Sequence, residues 1–394
     1  MELPTPLRTT YIPLLYLTNI LALGFKPSVL RTLTTLPLTL LFLSQAVYNP
    51  RTHLADDYPM NVLACAAVFT WVDWIALGSP DREGWTKLRY AEGDGEMGEV
   101  EKKVPQGFWV RVWWGVRLAT TNRYVGWSQQ VKNVPVDVGA QYPRCRRFVL
   151  RKALRAAFFY VLKDATNSYT ASTPHGGYQE RDGPEDVVGF DGLPFSRKAF
   201  LSCFHIVLCY VSLEFAMAMY GAVSVALGFA NPRDCPSAFG DLKEAYTVRN
   251  CWSVVWHQQM RRICSTPSIW LARDVLQLRK GSFASKYLQL FMGFFISGLC
   301  HAGASMLCYK SWKEDDASIA CFMSQALVIL VEDHIIKFAG SMGLKKSRFW
   351  RYFGYCWTTL WFGISTCSFT SSITGNGLWI HPVQYDLFGI GPGA

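Results

Sequence analysis

The chain has 394 residues, of which 50% are hydrophobic and 17% are charged, and its formal net charge is +10. Soluble domains usually contain about 25% charged residues, and in this chain the apolar residues come in long blocks, so an ordinary soluble domain is excluded. Several blocks reach the roughly 20 residues needed to cross hydrocarbon, where the backbone must satisfy its own hydrogen bonds. The composition predicts an all-α polytopic membrane protein.

In chain order, the apolar blocks predict about eight transmembrane helices. The first is short and lacks both a basic start and a clear cleavage site, so it is interpreted as a retained anchor. The second contains Pro37, and the fifth is long enough to be strongly tilted or broken. The predicted spans are residues 10–24, 30–48, 59–78, 148–166, 199–230, 286–308, 319–338 and 352–371.

The loops between these spans differ in charge. Loops 79–147 and 231–285 and the connection 337–351 are rich in Lys and Arg, whereas loop 167–197 is mostly acidic. Because Lys and Arg collect in cytoplasmic loops, the three basic loops are predicted to face the cytosol, and the acidic loop and both termini the lumen. The positive charge then favours anionic lipid. A nucleic-acid partner is not expected, because the basic residues flank spans.

A single membrane-embedded domain, residues 1–394, is predicted because no internal boundary or repeat is visible. The stretch "GFWVRVWWGVRLATTNRYVGW" mixes Trp with Arg at helical spacing, which predicts an amphipathic helix in the interface, or one that also shapes a cytosolic entrance. The chain has 12 Cys but no C-x-x-C pair and no Cys/His cluster, so no metal site is expected. Nucleotide-binding loops and the G-x-S-x-G hydrolase motif are also absent.

Polar side chains inside apolar blocks are costly, and they are therefore candidate functional groups. His301 lies about fifteen residues into the sixth span, or roughly 22 Å from its start. Ser297 and Ser305 lie one turn to either side of it, on the same helix face. The alternative is a histidine that only packs against a neighbouring helix through a hydrogen bond. That packing role is the interpretation given to His205 and His334.

Carboxylates also fall within the predicted spans. Glu214 and Asp164 are expected to pair with polar groups in the interior. Asp73 lies close to the cytosolic end of the third span and is expected to reach water.

The stretch "RNCWSVVWHQQMRR", residues 249–262, is too polar to cross a bilayer and unusually aromatic for a soluble loop. His257 within it is the second candidate. A histidine flanked by Trp and Arg can also be only an interfacial anchor. Its pairing with His301, in the next apolar span, favours a functional role.

Four segments, in the same order, resemble the wax-synthase branch of the membrane-bound O-acyltransferases. "CWSVVWHQ" resembles that branch's F-W-x-x-x-W-H signature, and "FFISGLCHA" is similar to its intramembrane SGLxH segment, which carries the catalytic His. "TNRYVGWSQQVKNVP" and "SQALVILVEDHI" are weaker matches. The resemblance covers residues 120–337, with departures at Val125, Val254 and Val255, and other branches have Asn or Asp where this chain has His257. The length suits the fungal terpenoid acetyltransferases of the branch.

The resemblance implies an acyl-CoA-dependent enzyme that moves an acetyl group from acetyl-CoA to a hydroxyl of a hydrophobic terpenoid or meroterpenoid, in the endoplasmic reticulum. Its helices would enclose an intramembrane reaction tunnel, with His301 as general base and His257 holding the thioester or oxyanion. No bound cofactor, metal or covalent intermediate is expected. The residues expected to bind CoA or substrate are Trp252, Trp256, Gln258, Arg249, Arg261, Arg262, Ser297, Ser305 and Glu332; guanidinium groups suit phosphate.

Two alternatives stay open at this point. A long-chain wax or sterol ester synthase would use the same chemistry, and the size of the acyl pocket, which separates the two activities, cannot be derived from the sequence. A polytopic transporter or lipid scaffold would leave both histidines structural. Transporter folds often contain internal repeats, and their absence from this sequence disfavours that alternative.

Overall fold

The computed structural model describes residues 2–50, 52–90, 97–98, 104–135, 145–179, 187–345, 347–381 and 387. Most of these residues are helical, as the sequence predicts. The strands in this part of the chain form two short pairs: β1 Arg89–Tyr90 antiparallel to β2 Met97–Gly98, and β3 Gly177–Tyr178 parallel to β4 Ile380–His381. Part of the acidic loop, residues 180–186, lies outside the described residues.

The helices follow one another along the whole chain. They are α1 Thr5–Thr9, α2 Tyr11–Gly24, α3 Val29–Tyr48, α4 Leu54–Trp71, α5 Ser79–Arg82, α6 Phe108–Ala119, α7 Cys145–Ala171, α8 Phe195–Ala226, α9 Val248–Asn250, α10 Arg261–Trp270, α11 Phe283–Tyr309, α12 Ser318–Ser341, α13 Arg348–Ser365 and α14 Cys367–Thr374. Three of them continue into π-helical turns: Val72–Ala76 after α4, Cys251–Val255 after α9 and Leu271–Val275 after α10.

Within the described residues, five helices are long and apolar enough to cross a membrane: α3, α4 with its π-turn, α8, α11 and α12. They correspond to the second, third, fifth, sixth and seventh predicted spans. α8 is one unbroken helix of 32 residues, or about 48 Å at 1.5 Å per residue. Because this exceeds the ~30 Å hydrocarbon thickness, α8 must tilt or project beyond the core.

The other three predicted spans are helical but differ from the five. α2 has only 14 residues. α7 carries several charged residues, and the eighth span divides at Thr366 into α13 and α14. One of these charged residues, Arg155, donates to Glu214 on α8 through Nε and Nη2, at 3.0 and 2.9 Å. The expected interior pairing of Glu214 is therefore observed.

Close packing of α11 against α12 and α4 sets the centre of the bundle. A methyl group added at Gly298 would lie 3.2 Å from Cα of Ile319 and from Cβ of Phe322, so the small residue lets α12 approach α11 closely. On the opposite side, Gly303 of α11 faces Cys65 of α4. These two contacts bring side chains of α4 and α12 to the level of His301.

The described part of loop 79–147 includes α5 and α6, and α6 packs against α2. Its amphipathic helix is α6, which exposes Trp109 and Trp113 and buries Trp114. The expectation that Asp73 reaches water is wrong. Asp73 is fully buried, because Arg262 of α10 closes over it and donates to both carboxylate oxygens at 3.1 and 3.2 Å.

Candidate active site

The Trp-rich segment 248–258 is a short helical stretch that ends in a π-turn. The hydroxyl of Thr247 caps α9 by accepting from the backbone N–H of Asn250 at 3.0 Å. The backbone N–H of Trp256 donates to the carbonyl of Cys251 at 2.6 Å and closes the turn. π-turns occur frequently at functional sites, because they interrupt the regular helix and re-aim the side chains that follow.

Side chains that follow the π-turn donate hydrogen bonds to its carbonyl groups. The amide of Gln258 is buried and donates to the carbonyl oxygens of Trp252, at 2.9 Å, and Trp256. Nη1 of Arg261 donates to the carbonyl of Ser253 at 2.9 Å and to Oε1 of Gln258 at 2.8 Å. The same Arg261 nitrogen also donates to the carbonyl of Lys132 at 3.4 Å. The observed partners of Gln258 and of this nitrogen are therefore protein groups in and beside the segment.

The late "VED" sequence of α12 fixes the start of the segment. Glu332 accepts hydrogen bonds from the backbone N–H groups of Val248, at 2.9 Å, and Arg249, at 3.0 Å. A carboxylate at this position satisfies donors that a helix start leaves unpaired. Asp333 accepts from Nε and Nη2 of Arg249 at 2.6 and 2.7 Å. The short helix α9 is thus locked to α12 through both its backbone and a side chain.

The segment "TNRYVGWSQQVKNVP" holds the other side of the π-turn. Arg123 has a left-handed backbone (φ 56°), and its guanidinium donates to the carbonyls of residues 236, 237 and 238 at 3.3, 2.9 and 3.1 Å. That loop then lies against the turn: Gly240 donates to the carbonyl of Val255, and a Cβ at Gly240 would lie 2.2 Å from the carbonyl oxygen of Val254. Three of the four segments that resemble the family therefore meet at the backbone of the Trp-rich segment and of the loop behind it.

His301 sits among side chains from three other helices. Its Nδ1 lies 2.9 Å from the hydroxyl oxygen of Tyr58 on α4, a buried residue. Phe322 of α12 stacks on the imidazole with ring centroids 4.7 Å apart and planes 16° apart, and Phe369 of α14 meets it edge-on at 6.0 Å. No sequence pattern indicated Tyr58, Phe322 or Phe369, because only helix packing joins them to His301.

His257 lies in the turn between the π-turn and α10. Trp256 and Phe239 pack against its ring at centroid distances of 5.5 and 5.9 Å. Burial, with the nearby imidazole of His301 and guanidinium of Arg123, lowers the pKa of His257 to about 3. Its Nδ1 is buried and has no hydrogen-bond partner among the described residues. This imidazole is neutral at physiological pH, with one ring nitrogen available to a ligand.

An aromatic wall joins the two histidines. Phe322 stacks on His301 and meets Trp252 at a centroid distance of 6.0 Å, and Trp252 meets Trp256 at 5.9 Å. Trp256 then contacts His257. Gln325, buried on α12, orients Trp252 by accepting its indole N–H at 3.3 Å. The structure therefore brings together His301, His257 and both predicted Trp residues of the segment.

The remaining predicted site residues have other surroundings. Arg249 and Arg262 are each paired with carboxylates, whereas Arg261 has no carboxylate partner in the part of the chain that the structure describes. On α11, Ser305 is buried and Ser297 is half-buried.

The two histidines interpreted as packing residues have protein partners. The indole N–H of Trp379 donates to Nδ1 of His205 at 3.2 Å, and Cys209 Sγ lies 3.5 Å from its Nε2. Nδ1 of His334 lies 2.7 Å from the carbonyl oxygen of Leu330, one turn earlier in α12. Both sets of contacts agree with structural roles.

The chain is similar to known fungal proteins. Residues 235–324, which contain His257, His301 and Phe322, match the family described as membrane bound O-acyl transferase. The chain is 44% identical over 390 residues to acetyltransferase sirH of Leptosphaeria maculans, covering 98% of this chain and 96% of that protein. It is 31% identical over 268 residues to acetyltransferase eriL of Hericium erinaceus, covering 67% of each chain. It is 29% identical over 193 residues to acetyltransferase TRI7 of Fusarium sporotrichioides, covering 46% of this chain and 44% of that protein.

Proposed function

This chain belongs to the membrane bound O-acyl transferase family and is an acyltransferase enzyme, and we propose that it transfers an acetyl group from acetyl-CoA to a hydroxyl of a hydrophobic terpenoid or meroterpenoid in secondary metabolism. The observation that carries the proposal is the pair of imidazoles joined by one aromatic wall. His301 is held by Tyr58, and His257 has an unpartnered buried nitrogen. The similar proteins named acetyltransferases support acetyl as the transferred group.

His301 acts as the general base in this proposal. Its Nδ1–H donates to the Tyr58 oxygen across the observed 2.9 Å contact, which leaves the lone pair of Nε2 for the proton of the alcohol. The stacked Phe322 and the edge of Phe369 fix the plane of the ring. When the ring becomes an imidazolium, the Tyr58 oxygen next to Nδ1 favours the added positive charge.

His257 acts as a hydrogen-bond donor and not as a second base. Burial lowers the pKa of His257 and keeps its ring neutral, so the ring can contribute an N–H. The buried Nδ1 without a partner suits this role, because the carbonyl oxygen of the thioester would supply the missing partner. Negative charge develops on that oxygen during attack, and the hydrogen bond then strengthens.

The proposed reaction needs only the two substrates and these side chains, because every proton and bond is accounted for. The alcohol gives its proton to Nε2 of His301 while its oxygen bonds to the thioester carbonyl carbon. The carbonyl oxygen carries the negative charge next to His257 until the carbon–sulfur bond breaks. The CoA thiolate then takes the proton from His301, which returns the imidazole to its neutral form.

Acetyl-CoA approaches from the basic, cytosolic side in this proposal, and its phosphates contact arginine. Among the three predicted phosphate ligands, Arg261 fits best, because the carboxylates of Asp333 and of Asp73 and Glu83 occupy Arg249 and Arg262. Trp252 and Trp256 offer apolar faces for the pantetheine arm. Ser297 and Ser305 remain proposed contacts of the alcohol, on the face of α11 that carries His301.

The protein is a membrane protein, and the proposal includes the number and orientation of its transmembrane spans. α2, α7 and α13–α14 join the five long apolar helices to make eight spans around a tunnel in the endoplasmic reticulum membrane, with the Trp-rich segment facing the cytosol. The charge difference between loops supports this orientation. In a Cys-free background, Lys243→Cys and Ser172→Cys should react with an impermeant maleimide from opposite sides. Labelling of both from one side would refute the eight-span arrangement.

The direct test is acetyl transfer by the purified protein. Acetyl-CoA and a panel of terpenoid alcohols should give CoA thiol and an acetyl ester, and His301→Gln should form both products about 10² to 10⁴ times more slowly. Palmitoyl-CoA with the same alcohols, and with fatty alcohols and sterols, separates the wax or sterol ester synthase. Preferential use of palmitoyl-CoA would overturn the acetyl assignment. CoA release without an ester would overturn the proposed acceptor class.

A further inference from the structure

We propose that the groove between α2 and α3 binds one anionic phospholipid of the surrounding membrane. The groove has a volume of about 500 Å³, within the range of small-molecule sites. Leu17 and Leu21 of α2 and Leu38 and Phe42 of α3 line its walls. Leu17 and Leu38 are 46% and 44% exposed, so the groove opens to the outside of the bundle, where acyl chains reach it.

A charged cluster lies at one end of this apolar groove. Arg31 lines the groove, and its side chain is only 1% exposed. It donates to Asp81 at 3.1 Å, and Arg111, whose side chain is 4% exposed, donates to the same carboxylate. Both guanidiniums also donate to the carbonyl of Phe25 at 3.2 Å. Two buried cations share one anion, so the cluster keeps one positive charge away from water.

Neighbouring carboxylates do not cancel that charge. Asp73 and Glu83 are both paired with Arg262, and Arg82 lies 3.8 Å from Glu83 and 3.9 Å from Asp274, so the nearby carboxylates have arginine partners of their own. In addition, Nε of Arg31 is buried and has no hydrogen-bond partner among the described residues. A buried charged donor is costly unless a ligand satisfies it. A phosphate oxygen at the end of the groove would supply both the acceptor and the negative charge.

The cluster lies at the depth where lipid headgroups occur. α6 packs against the end of α2, with Phe108 and Phe25 at a centroid distance of 4.9 Å. On the other face of α6, Trp109 and Trp113 are 74% and 60% exposed. Exposed Trp side chains mark the membrane–water interface. The groove therefore has the polarity of a phospholipid: a cationic end at the interface and an apolar channel along the helices.

The experiment is native mass spectrometry of the delipidated full chain mixed with phosphatidylserine or phosphatidylcholine of identical acyl chains. We expect one retained phosphatidylserine, with a preference of about fivefold, which is the factor that one basic residue contributes near anionic lipid. Arg31→Gln should remove the preference. Thr34→Trp, which fills the groove, should reduce retention of both lipids. Leu33→Trp is the matched control, because Leu33 is 62% exposed on α3 and does not line the groove.

Three results would overturn the proposal. Equal retention of both lipids by the wild type would exclude a preference for an anionic headgroup. Unchanged retention in Thr34→Trp would exclude the groove as the binding site. Displacement of the lipid by millimolar glycerol phosphate would indicate a site for a free phosphate. The melting temperature of each variant is measured in detergent. If Arg31→Gln unfolds, comparison of Thr34→Trp with Leu33→Trp still tests whether the lipid binds in the groove, and the wild type still tests the headgroup preference. Acetyl transfer is not part of this readout, so the result stands apart from the proposed enzymatic function.

Discussion

Replacing Tyr58 by Phe should lower the turnover number of the enzyme and leave its affinity for acetyl-CoA unchanged. The substitution removes one oxygen atom from a buried side chain and keeps the ring that packs beside His301. The lost contact is the 2.9 Å hydrogen bond to Nδ1 of His301. Without it, the imidazole loses the partner that keeps its proton on Nδ1 and its lone pair on Nε2.

The size of the effect follows from the change in charge of His301 during the reaction. A hydrogen bond between neutral groups contributes about 0.5–1.5 kcal/mol, and one to a charged group about 1.5–3 kcal/mol. The neutral ring of the ground state becomes an imidazolium as it takes the alcohol proton. The bond therefore gains about 1–1.5 kcal/mol on the way to the transition state. Losing this gain lowers kcat about five- to tenfold.

The assay is steady-state release of CoA thiol, with kcat and KM determined separately for acetyl-CoA. Tyr11→Phe is the matched control. Tyr11 is also buried, and its hydroxyl donates to Asn61 at 2.8 Å, one turn along α4 from Tyr58. Tyr58 lies on α4, and Tyr11 lies on α2 with its hydroxyl against α4. Each variant loses a buried phenol hydroxyl, and both should show a lowered melting temperature. Only Tyr58→Phe should lower kcat.

Two outcomes would refute the role of Tyr58. A kcat within twofold of the wild type, with proton transfer shown to limit the rate by a solvent isotope effect, would mean that the phenol does not orient the base. Equal losses of kcat in Tyr58→Phe and Tyr11→Phe would assign the effect to packing of α4.

His301→Gln should bind acetyl-CoA and lose about 10² to 10⁴ in kcat, because Gln cannot accept the alcohol proton; more than a tenth of wild-type turnover would refute the base. Arg261→Gln should raise the KM for acetyl-CoA several-fold with little change in kcat, whereas Arg262→Gln should mainly lower the melting temperature, because it leaves Asp73 buried without its partner. The wild type should lose stability from pH 7 to pH 5, because unfolded His257 binds a proton near pH 6.5 and the folded ring only near pH 3. His257→Gln should reduce the slope in that part of the profile, and equal slopes would contradict a neutral His257 in the folded protein.

Run length and hydropathy predicted the five long apolar helices, because few other structures accommodate 20 or more apolar residues. Run length and hydropathy do not decide whether α7 crosses the membrane. Its Arg155 is paired with the buried Glu214 and lies 5.0 Å from the ring centroid of Phe159, so this charge has protein partners. The hydropathy of a segment counts such charges as if they faced lipid. Asp73 is the reverse case, since the sequence could not show that Arg262, far along the chain, would cover it.

The two histidines of the site were predictable, because each lies in a segment whose residue types and order resemble a known family. Tyr58 was not. It is 243 positions from His301 in the chain, in a helix start that carries no chemical signature. Its contact depends on the close approach of α4 to α11 at Gly303 and Cys65. Such contacts are set by helix packing, which periodicity along one segment does not describe.

Most polar residues of the motif segments discussed above have hydrogen-bond partners within the protein, whereas one nitrogen of His257 has none among the described residues. Glu332, Gln258 and Arg123 each form hydrogen bonds with backbone groups of the Trp-rich segment or of the loop behind it. A side chain that satisfies main-chain groups of an irregular turn has the same donors and acceptors as one that binds substrate, so sequence cannot separate the two roles. The buried nitrogen of His257 differs, because it has no partner among the described residues. An unsatisfied polar atom at the end of a rigid aromatic wall is costly in the empty protein. We infer that the scaffold tolerates this cost because the bound thioester removes it.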